Sequence, residues 1–539
     1  MLLWPVLLLS AAAAPAAAQS ASPPKLIVAI SVDQLSSDVF DDYRPVLNGG
    51  FARLGRGTVF PHAYQGHAAS ETCPGHSTIL TGAYPSRNGI IANTWYDLGQ
   101  TRADKAVYCA EDERVAGSTS SAYTVSPWHL KVPTLGDYLK LQWPASRTVA
   151  VAGKDRAAVM MSGQRPDQRW YWNGKTFATD LASAVVPQSV ISARTAVAAQ
   201  VAQPQAGLEP PALCSAKAAV VPVGGGGAPV GAGRFVRAAG DATLFRASPE
   251  FDGATLALAA GLVREMKLGK SAAPDLLTLG LSATDYVGHR YGTEGQEMCL
   301  QMLSLDRDLG DFLAFLDREV GDYTVVLTAD HGGKDIPERE SAAGVAGAAR
   351  VDPALSAGTM GKALGAKLGL AGTLLYGGNF GDIYVGRGLA PAQKAKVLAA
   401  ALAAYRAHPQ VEAVFTNDQL ARTAIPVGTP DRWNLIQRAR TSFDASRSGD
   451  FVVLLKKDIT PIADTKGGYV STHGSAWDYD RRVPIIFWRP GYPALTVDMP
   501  VQTVDILPTV AAMIGLAIPR GGIDGKCLSP APGAVCVTE

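Results

Sequence analysis

The chain has 539 residues, with 49 Lys and Arg against 48 Asp and Glu, and a formal net charge of +1. That balance argues against nucleic acid or an anionic membrane surface as the main partner, because both are recognised through basic patches. The length allows a large core with insertions, and any recognition of an anion has to be local.

The text begins Met1-Leu2-Leu3-Trp4-Pro5-Val6-Leu7-Leu8-Leu9-Ser10 and runs into alanines, with Ala16-Ala17-Ala18 before Gln19. A short apolar run followed by small residues predicts a secretory signal peptide over residues 1–18, although no Lys or Arg precedes it. The mature chain is then expected in the periplasm or secreted. The apolar part is short against the roughly 20 residues of a membrane span, and no later segment is apolar enough to cross. All six cysteines follow the signal: Cys73, Cys109, Cys214, Cys299, Cys527 and Cys536. An even number in an exported chain permits disulfides, and Cys527 with Cys536 is the favoured pair, closing a small loop in a Gly/Pro-rich tail.

Three apolar runs end on aspartate: Leu26 to Asp33, Leu276 to Asp285 and Tyr323 to Asp330. Their length and β-branched content predict strands buried on both faces, the pattern of a parallel sheet covered by helices. Between the first two, Glu71-Thr72-Cys73-Pro74-Gly75-His76-Ser77 reads as a loop entering a helix, with Thr72 at the N-cap. Arg147 to Gly153 reads as a further strand leading into Lys154-Asp155-Arg156, where an extended backbone would turn Lys154 and Arg156 to one face. The irregular, alanine-rich text at about 160–250 reads as an insertion. Thr255 to Lys267 is helical in pattern. Apolar residues at 298, 302, 305, 309, 312 and 316 then predict an amphipathic helix that carries the chain to the third Asp-terminated strand. Strand, helix and strand in that order predict a βαβ unit with its two strands as parallel neighbours. A second insertion or cap is expected at about 333–470, before Tyr469-Val470-Ser471-Thr472-His473-Gly474 and the strand-like Val483 to Trp488. The expected fold is α/β, a mostly parallel central sheet flanked by helices on both faces, forming one catalytic domain over 24–535 with inserted cap segments.

Parallel sheets bind ligands beyond the carboxyl ends of their strands. Three aspartates delivered there would repel one another and resist desolvation unless cations sat among them. Asp285 and His289 are four apart and share a helical face, while Asp330 and His331 are adjacent at a strand end. With Asp33 and the glycine-flanked His473, the set offers oxygen and nitrogen donors, which suits zinc better than calcium or magnesium.

Taken together, the Asp33 strand, the Glu71 to Ser77 turn, Asn93, Gly153-Lys154-Asp155-Arg156, Asp285 with His289, Asp330-His331-Gly332-Gly333 and His473-Gly474 resemble the alkaline phosphatase superfamily. Within it they look like the exported bacterial alkaline phosphatases with a threonine nucleophile, the PhoK and PafA type. The resemblance implies two Zn2+ ions per chain, one held by Asp285, His289 and His473, the other by Asp33, Asp330, His331 and the hydroxyl of Thr72. It implies hydrolysis of small phosphate monoesters through a phosphothreonine at Thr72, with helix N–H groups, Asn93, Lys154 and Arg156 holding the non-bridging oxygens. A monomer is expected, and further Ca2+ is left open. The nearest alternative is a phosphodiesterase or nucleotide pyrophosphatase of the same superfamily, against which Lys154 and Arg156 argue because a monoester carries an extra anionic oxygen. The remote alternative is a catalytically inactive metal-binding protein on this fold.

Overall fold

The structure is a computed structural model that describes residues 22–183, 185–519, 521–529 and 536; the expected signal peptide lies outside the described residues. Among the described residues no helix is long and apolar enough to cross a membrane.

The Asp33 run forms the strand Leu26–Val32, buried at every position. Its side chains alternate between two cores. Leu26, Val28, Ile30 and Val32 face one, and Ile27 and Ala29 the other. A strand that is apolar on both sides belongs in the middle of a covered sheet. It pairs in parallel with Asp275–Leu281 on one side and with Tyr323–Thr328 on the other. Thr148–Ala152 and Gln168–Trp172 continue the parallel run outward. The full order is Leu495–Thr496, Thr58–Tyr64, Arg482–Trp488, Tyr323–Thr328, Leu26–Val32, Asp275–Leu281, Thr148–Ala152, Gln168–Trp172, Phe177–Ala178. Arg482–Trp488 and Phe177–Ala178 run antiparallel to their parallel-sheet neighbours.

Helices Glu250–Glu265 and Gln296–Glu319 cover one face, with Met298, Met302, Leu305, Leu309, Phe312 and Leu316 all buried in its core, as their spacing predicts. Helix Ile506–Ile514 packs into the core on the other face. One expectation is corrected. The strands joined by Gln296–Glu319 are not neighbours, because Leu26–Val32 lies between them. Strands are only about 4.8 Å apart, so a long crossover helix skips one without difficulty, and the slot goes to the strand that is apolar on both sides. Asp33 therefore lies between the chain segments that deliver Asp285 and Asp330.

The stretch read as an insertion at about 160–250 begins inside the core, since Gln168–Trp172 and Phe177–Ala178 belong to the main sheet. Within 333–470 a separate antiparallel sheet, ordered Leu375–Tyr376, Gly381–Val385, Phe451–Leu455, Val411–Thr416, packs with helices Ala357–Leu368 and Pro391–Ala407 around its own core of Leu364, Val397, Tyr405 and Phe451. All six cysteines are paired, as Cys73–Cys109, Cys214–Cys299 and Cys527–Cys536.

Candidate active site

The carboxyl ends of the central strands bring Asp33, Asp285 and Asp330 to one place, none more than 1% exposed. Asp33 and Asp330 follow their strands closely. Asp285 does not end a strand: Asp275–Leu281 stops earlier, and Asp285 sits in the first turn of helix Ala283–Tyr291. That position keeps His289 on the same helical face, its Nε2 3.3 Å from Asp285 Oδ1.

The three imidazoles share one arrangement. Nδ1 of His289 lies 2.8 Å from Ser471 O, Nδ1 of His331 2.8 Å from Gly332 O, and Nδ1 of His473 2.8 Å from Ser70 O. A backbone carbonyl only accepts, so each Nδ1 carries a proton, and in the neutral ring Nε2 is the nitrogen left free to ligate. The Nε2 atoms all point at carboxylates: His473 to Asp285 Oδ1 at 3.4 Å, His331 to Asp330 Oδ2 at 3.2 Å and to Asp33 Oδ1 at 3.5 Å. Fixing the tautomer through the remote nitrogen is how proteins prepare imidazole as a metal ligand.

Two groups of donor atoms are close enough to share an ion: Asp33, Asp330 and His331, and Asp285, His331 and His473. The first contains three of the four residues expected to share an ion, Thr72 being the fourth. In the second, His331 replaces His289, which lies at the rim with 15% of its side chain exposed. The His331 and His473 rings stack with centroids 3.5 Å apart, which places His331 in both groups. Both oxygens of Asp33 and Oδ2 of Asp330 are buried without an aligned hydrogen bond. Buried carboxylate oxygens whose close partners are the Lys154 ammonium and imidazole nitrogens fit divalent cations, and the mixed N/O set fits zinc.

Thr72 opens helix Thr72–Thr81 as its first residue; the cap is Glu71, one residue before the expected position. Thr72 Oγ1 lies 3.5 Å from Lys154 Nζ, 3.4 Å from Arg156 Nη2 and 3.5 Å from His331 Nε2. Lys154 and Arg156 do not share an extended segment. Lys154 is extended at φ −136° and ψ 141°, while Arg156 is the second residue of helix Asp155–Ser162. The turn between them still brings both cations to Thr72. Arg156 also reaches Tyr108 Oη at 3.4 Å, and Tyr108 and Tyr123 both donate to Asp155 at 2.7 Å. The Asn93 amide oxygen accepts from Cys73 N–H at 2.8 Å, leaving its NH2 as the donor. This narrows the expected role of the helix N-terminus. Cys73 N–H is taken and Pro74 has none, so side chains provide most of the anion donors.

Electrostatics set the protonation. Burial raises the Asp33 carboxyl well above the usual range, with repulsion from Asp285 and Asp330 adding to it. Burial pushes Asp285 the same way, but His289 and Lys154 outweigh it and hold that carboxyl well below the ordinary value. Asp330 is held low against burial by His331 and His76. Burial opposes charge on His331 and holds its imidazole well below the usual range. Lys154 is opposed by burial, yet Asp285 and Asp33 raise it above its ordinary value.

Two participants carried no role in the sequence reading. Gln34 is 2% exposed and left-handed at φ 68°; its backbone N–H donates to Asp330 Oδ1 at 3.2 Å and its amide to Asp285 Oδ1 at 3.4 Å. A side chain at position 288 would start 1.6 Å from Gln34 Oε1, so Gly288 makes room for it. His76 stands one helical turn after Thr72, with Nδ1 2.9 Å from Thr72 O and 3.0 Å from Asp330 Oδ2. The i, i+4 spacing in Thr72-Cys73-Pro74-Gly75-His76 is the signal that marks it.

Residues 27–476 match the family described as type I phosphodiesterase / nucleotide pyrophosphatase. The chain is 51% identical over 512 residues to alkaline phosphatase PhoK of a Sphingomonas species, covering 94% of this chain and 91% of that one. It is 47% identical to alkaline phosphatase PhoD of Zymomonas mobilis, covering 95% and 89%. The solved structure of wild-type alkaline phosphatase PafA superposes with a TM-score of 0.82 at 26% identity, over 95% of this chain and all of that one. A second solved form of PafA has a threonine, an asparagine, a lysine and an arginine replaced, spaced as Thr72 is from Asn93 and as Lys154 is from Arg156. The chain belongs to the type I phosphodiesterase / nucleotide pyrophosphatase family and, within the alkaline phosphatase superfamily, to the PhoK/PafA type.

Proposed function

We propose that this chain is an exported alkaline phosphatase that hydrolyses small phosphate monoesters through a phosphothreonine at Thr72. The observation that carries the reading is the convergence of Lys154, Arg156 and His331 on Thr72 Oγ1, at 3.4 to 3.5 Å, beside two clusters of carboxylate and imidazole. Its nearly full-length similarity to PhoK and PhoD supports the same activity.

Two zinc ions per chain are proposed, held by Asp285, His289 and His473 and by Asp33, Asp330, His331 and Thr72. Such ions supply Lewis acidity, lowering the pKa of a bound hydroxyl and stabilising charge on attacking and leaving oxygens. Thr72 Oγ1 attacks phosphorus while the bond to the ester oxygen breaks in line, releasing the alcohol. Lys154 contributes a point charge and Arg156 a planar fork to the non-bridging oxygens, and Asn93 donates from its NH2. Tyr108 stands at hydrogen-bonding distance from the Arg156 fork and helps fix its direction. Water then attacks the phosphothreonine from the vacated side, releasing phosphate and restoring the hydroxyl. Three disulfides with no free thiol among the described cysteines support an oxidising compartment, in keeping with export.

Replacing Thr72 by Ala tests the nucleophile: turnover should vanish with zinc content near two per chain, and an unchanged rate would mean another nucleophile. The description of the matched family favours a second reading, diester hydrolysis. The rates on an aryl phosphate monoester and its diester separate the two, the monoester being faster on the favoured reading.

A further inference from the structure

A cavity of about 310 Å3 opens beside the catalytic cluster. One wall is made by residues adjacent in sequence to the site: Glu71 precedes Thr72, Ala92 precedes Asn93 and Gly474 follows His473. The small antiparallel sheet and its flanks add Phe380, Asp382 and Tyr384 to the lining, together with Tyr96. Tyr96 and Tyr384 lie with ring centroids 5.7 Å apart. A Cβ on Gly474 would stand 3.2 Å from Phe380 Cζ, so the aromatic ring just before the strand Gly381–Val385 lies directly against the backbone beside His473. The volume is of the order of small-ligand sites, and its aromatic lining suits a flat ring.

The charges are one-sided. No Lys or Arg lines the cavity among the described residues, whereas Glu71 and Asp382 both do. Glu71 Oε2 already accepts from Asn93 N–H at 2.5 Å, and Asp382 Oδ1 from Gly449 N–H at 2.7 Å. Burial pushes the Asp382 carboxyl up to about 6, so it is ionised at alkaline pH. His473 is a proposed ligand of the ion that would stabilise the departing oxygen, and the cavity wall includes the residue next to it, Gly474.

We infer that this cavity is the leaving-group subsite, built for an aromatic alcohol that is neutral or carries a cationic substituent, with Asp382 selecting against anionic leaving groups. The inference rests on the phosphomonoesterase reading and names its substrate class. Ring burial against Phe380 and Tyr96 contributes affinity, and the Asp382 carboxylate contributes discrimination.

The test uses phosphate monoesters of three para-substituted phenols bearing aminoethyl, ethyl or carboxyethyl groups. The two-carbon spacer keeps their leaving-group acidity nearly equal, so differences in kcat/KM report the subsite. The expected order is aminoethyl, ethyl, carboxyethyl, with about a tenfold span between the first and last at low ionic strength, narrowing with salt. Asp382→Asn should compress that span to about twofold. Phe380→Ala should lower the preference for the ethylphenyl ester over glycerol phosphate by about threefold or more. Equal kcat/KM on all three aryl esters with the wild-type enzyme overturns the inference and leaves the phosphatase reading intact. Absence of turnover on every ester overturns the phosphatase reading instead. Calorimetric binding of tyramine against 3-(4-hydroxyphenyl)propionate then decides the subsite, tyramine binding more tightly if it is as inferred, and equal binding overturning it.

Discussion

Lys154 and Asp285 form a buried ion pair of 2.5 Å, with 1% of either side chain exposed, and the same ammonium lies 2.7 Å from Asp33 Oδ2. A single lysine thus holds two of the three aspartates that the central strands bring together. A cation among buried carboxylates offsets repulsion that would otherwise drive protonation or local unfolding. The same lysine lies 3.5 Å from Thr72 Oγ1. It therefore serves the carboxylate cluster and the proposed phosphoryl site together.

Lys154→Ala should accordingly cost more stability in metal-free protein than in zinc-loaded protein. Removing one partner of a buried pair costs about 3–5 kcal/mol, and bound zinc would take over part of the neutralisation. Thermal unfolding of wild type and variant, in chelator and in zinc, reads the difference. Equal losses under both conditions would show that the lysine and the metals do not share the carboxylate charge.

Gln34 pairs strain with position. Its left-handed φ of 68° costs about 1–2 kcal/mol for a residue with a Cβ, and its amide ties it to Asp285. Gln34→Gly relieves the backbone and deletes the amide, so melting should hold or rise while zinc affinity falls about 10- to 100-fold, the usual effect of losing a ligand's hydrogen-bond partner. Gln34→Ala keeps the strain without the amide and should melt below the glycine variant. Zinc competition against a chelator checks the first expectation, and unaltered affinity in both variants would remove Gln34 from the site.

Much of this site was legible in the sequence because ligand chemistry sits at recognisable places. Asp33 and Asp330 close apolar runs, His289 follows Asp285 at helical spacing, and Cys527 pairs with Cys536 across a short loop. What escaped was relational. Nothing in the Leu276 run marks where strand becomes helix, so the apolar pattern alone carries the strand on to Asp285, past its end at Leu281. The insertion of Leu26–Val32 between the strands joined by Gln296–Glu319 depends on which strand is best buried on both faces, a competition across the whole sheet. Gln34 has no local signature, since its role comes from a backbone conformation and from the space left by Gly288.

The Cys73–Cys109 disulfide should matter to substrate binding as well as to stability. Cys73 N–H donates to the Asn93 side chain at 2.8 Å, and Cys109 N–H to the Asn93 carbonyl at 3.0 Å, so the bridge clamps both sides of the proposed phosphate donor. Replacing both cysteines by alanine should cost about 2–5 kcal/mol and raise KM for an aryl phosphate. The same replacement at Cys527 and Cys536, far along the chain in the tail, should leave KM unchanged. A KM increase in both variants would point to general loosening.

Asp252 gives stability a pH dependence. It is fully buried and accepts from Ala283 N–H at 3.0 Å, the first residue of the helix that carries Asp285 and His289, and from Gln301 Nε2 at 3.1 Å. Burial pushes its carboxyl up to about 7 from an ordinary 3.8, against those hydrogen bonds. A carboxyl raised on folding favours the native state most below its unfolded pKa, and that contribution is lost as pH rises through the folded value. The window therefore runs from about pH 4 to pH 7, with an upper bound of about 4 kcal/mol. Asparagine keeps the acceptor for Ala283 without the charge, so the melting advantage of Asp252→Asn over wild type should be larger at pH 9 than at pH 5. A melting difference that stays constant across that range would mean that Asp252 does not change charge there, and the helix bearing Asp285 would owe nothing to its titration.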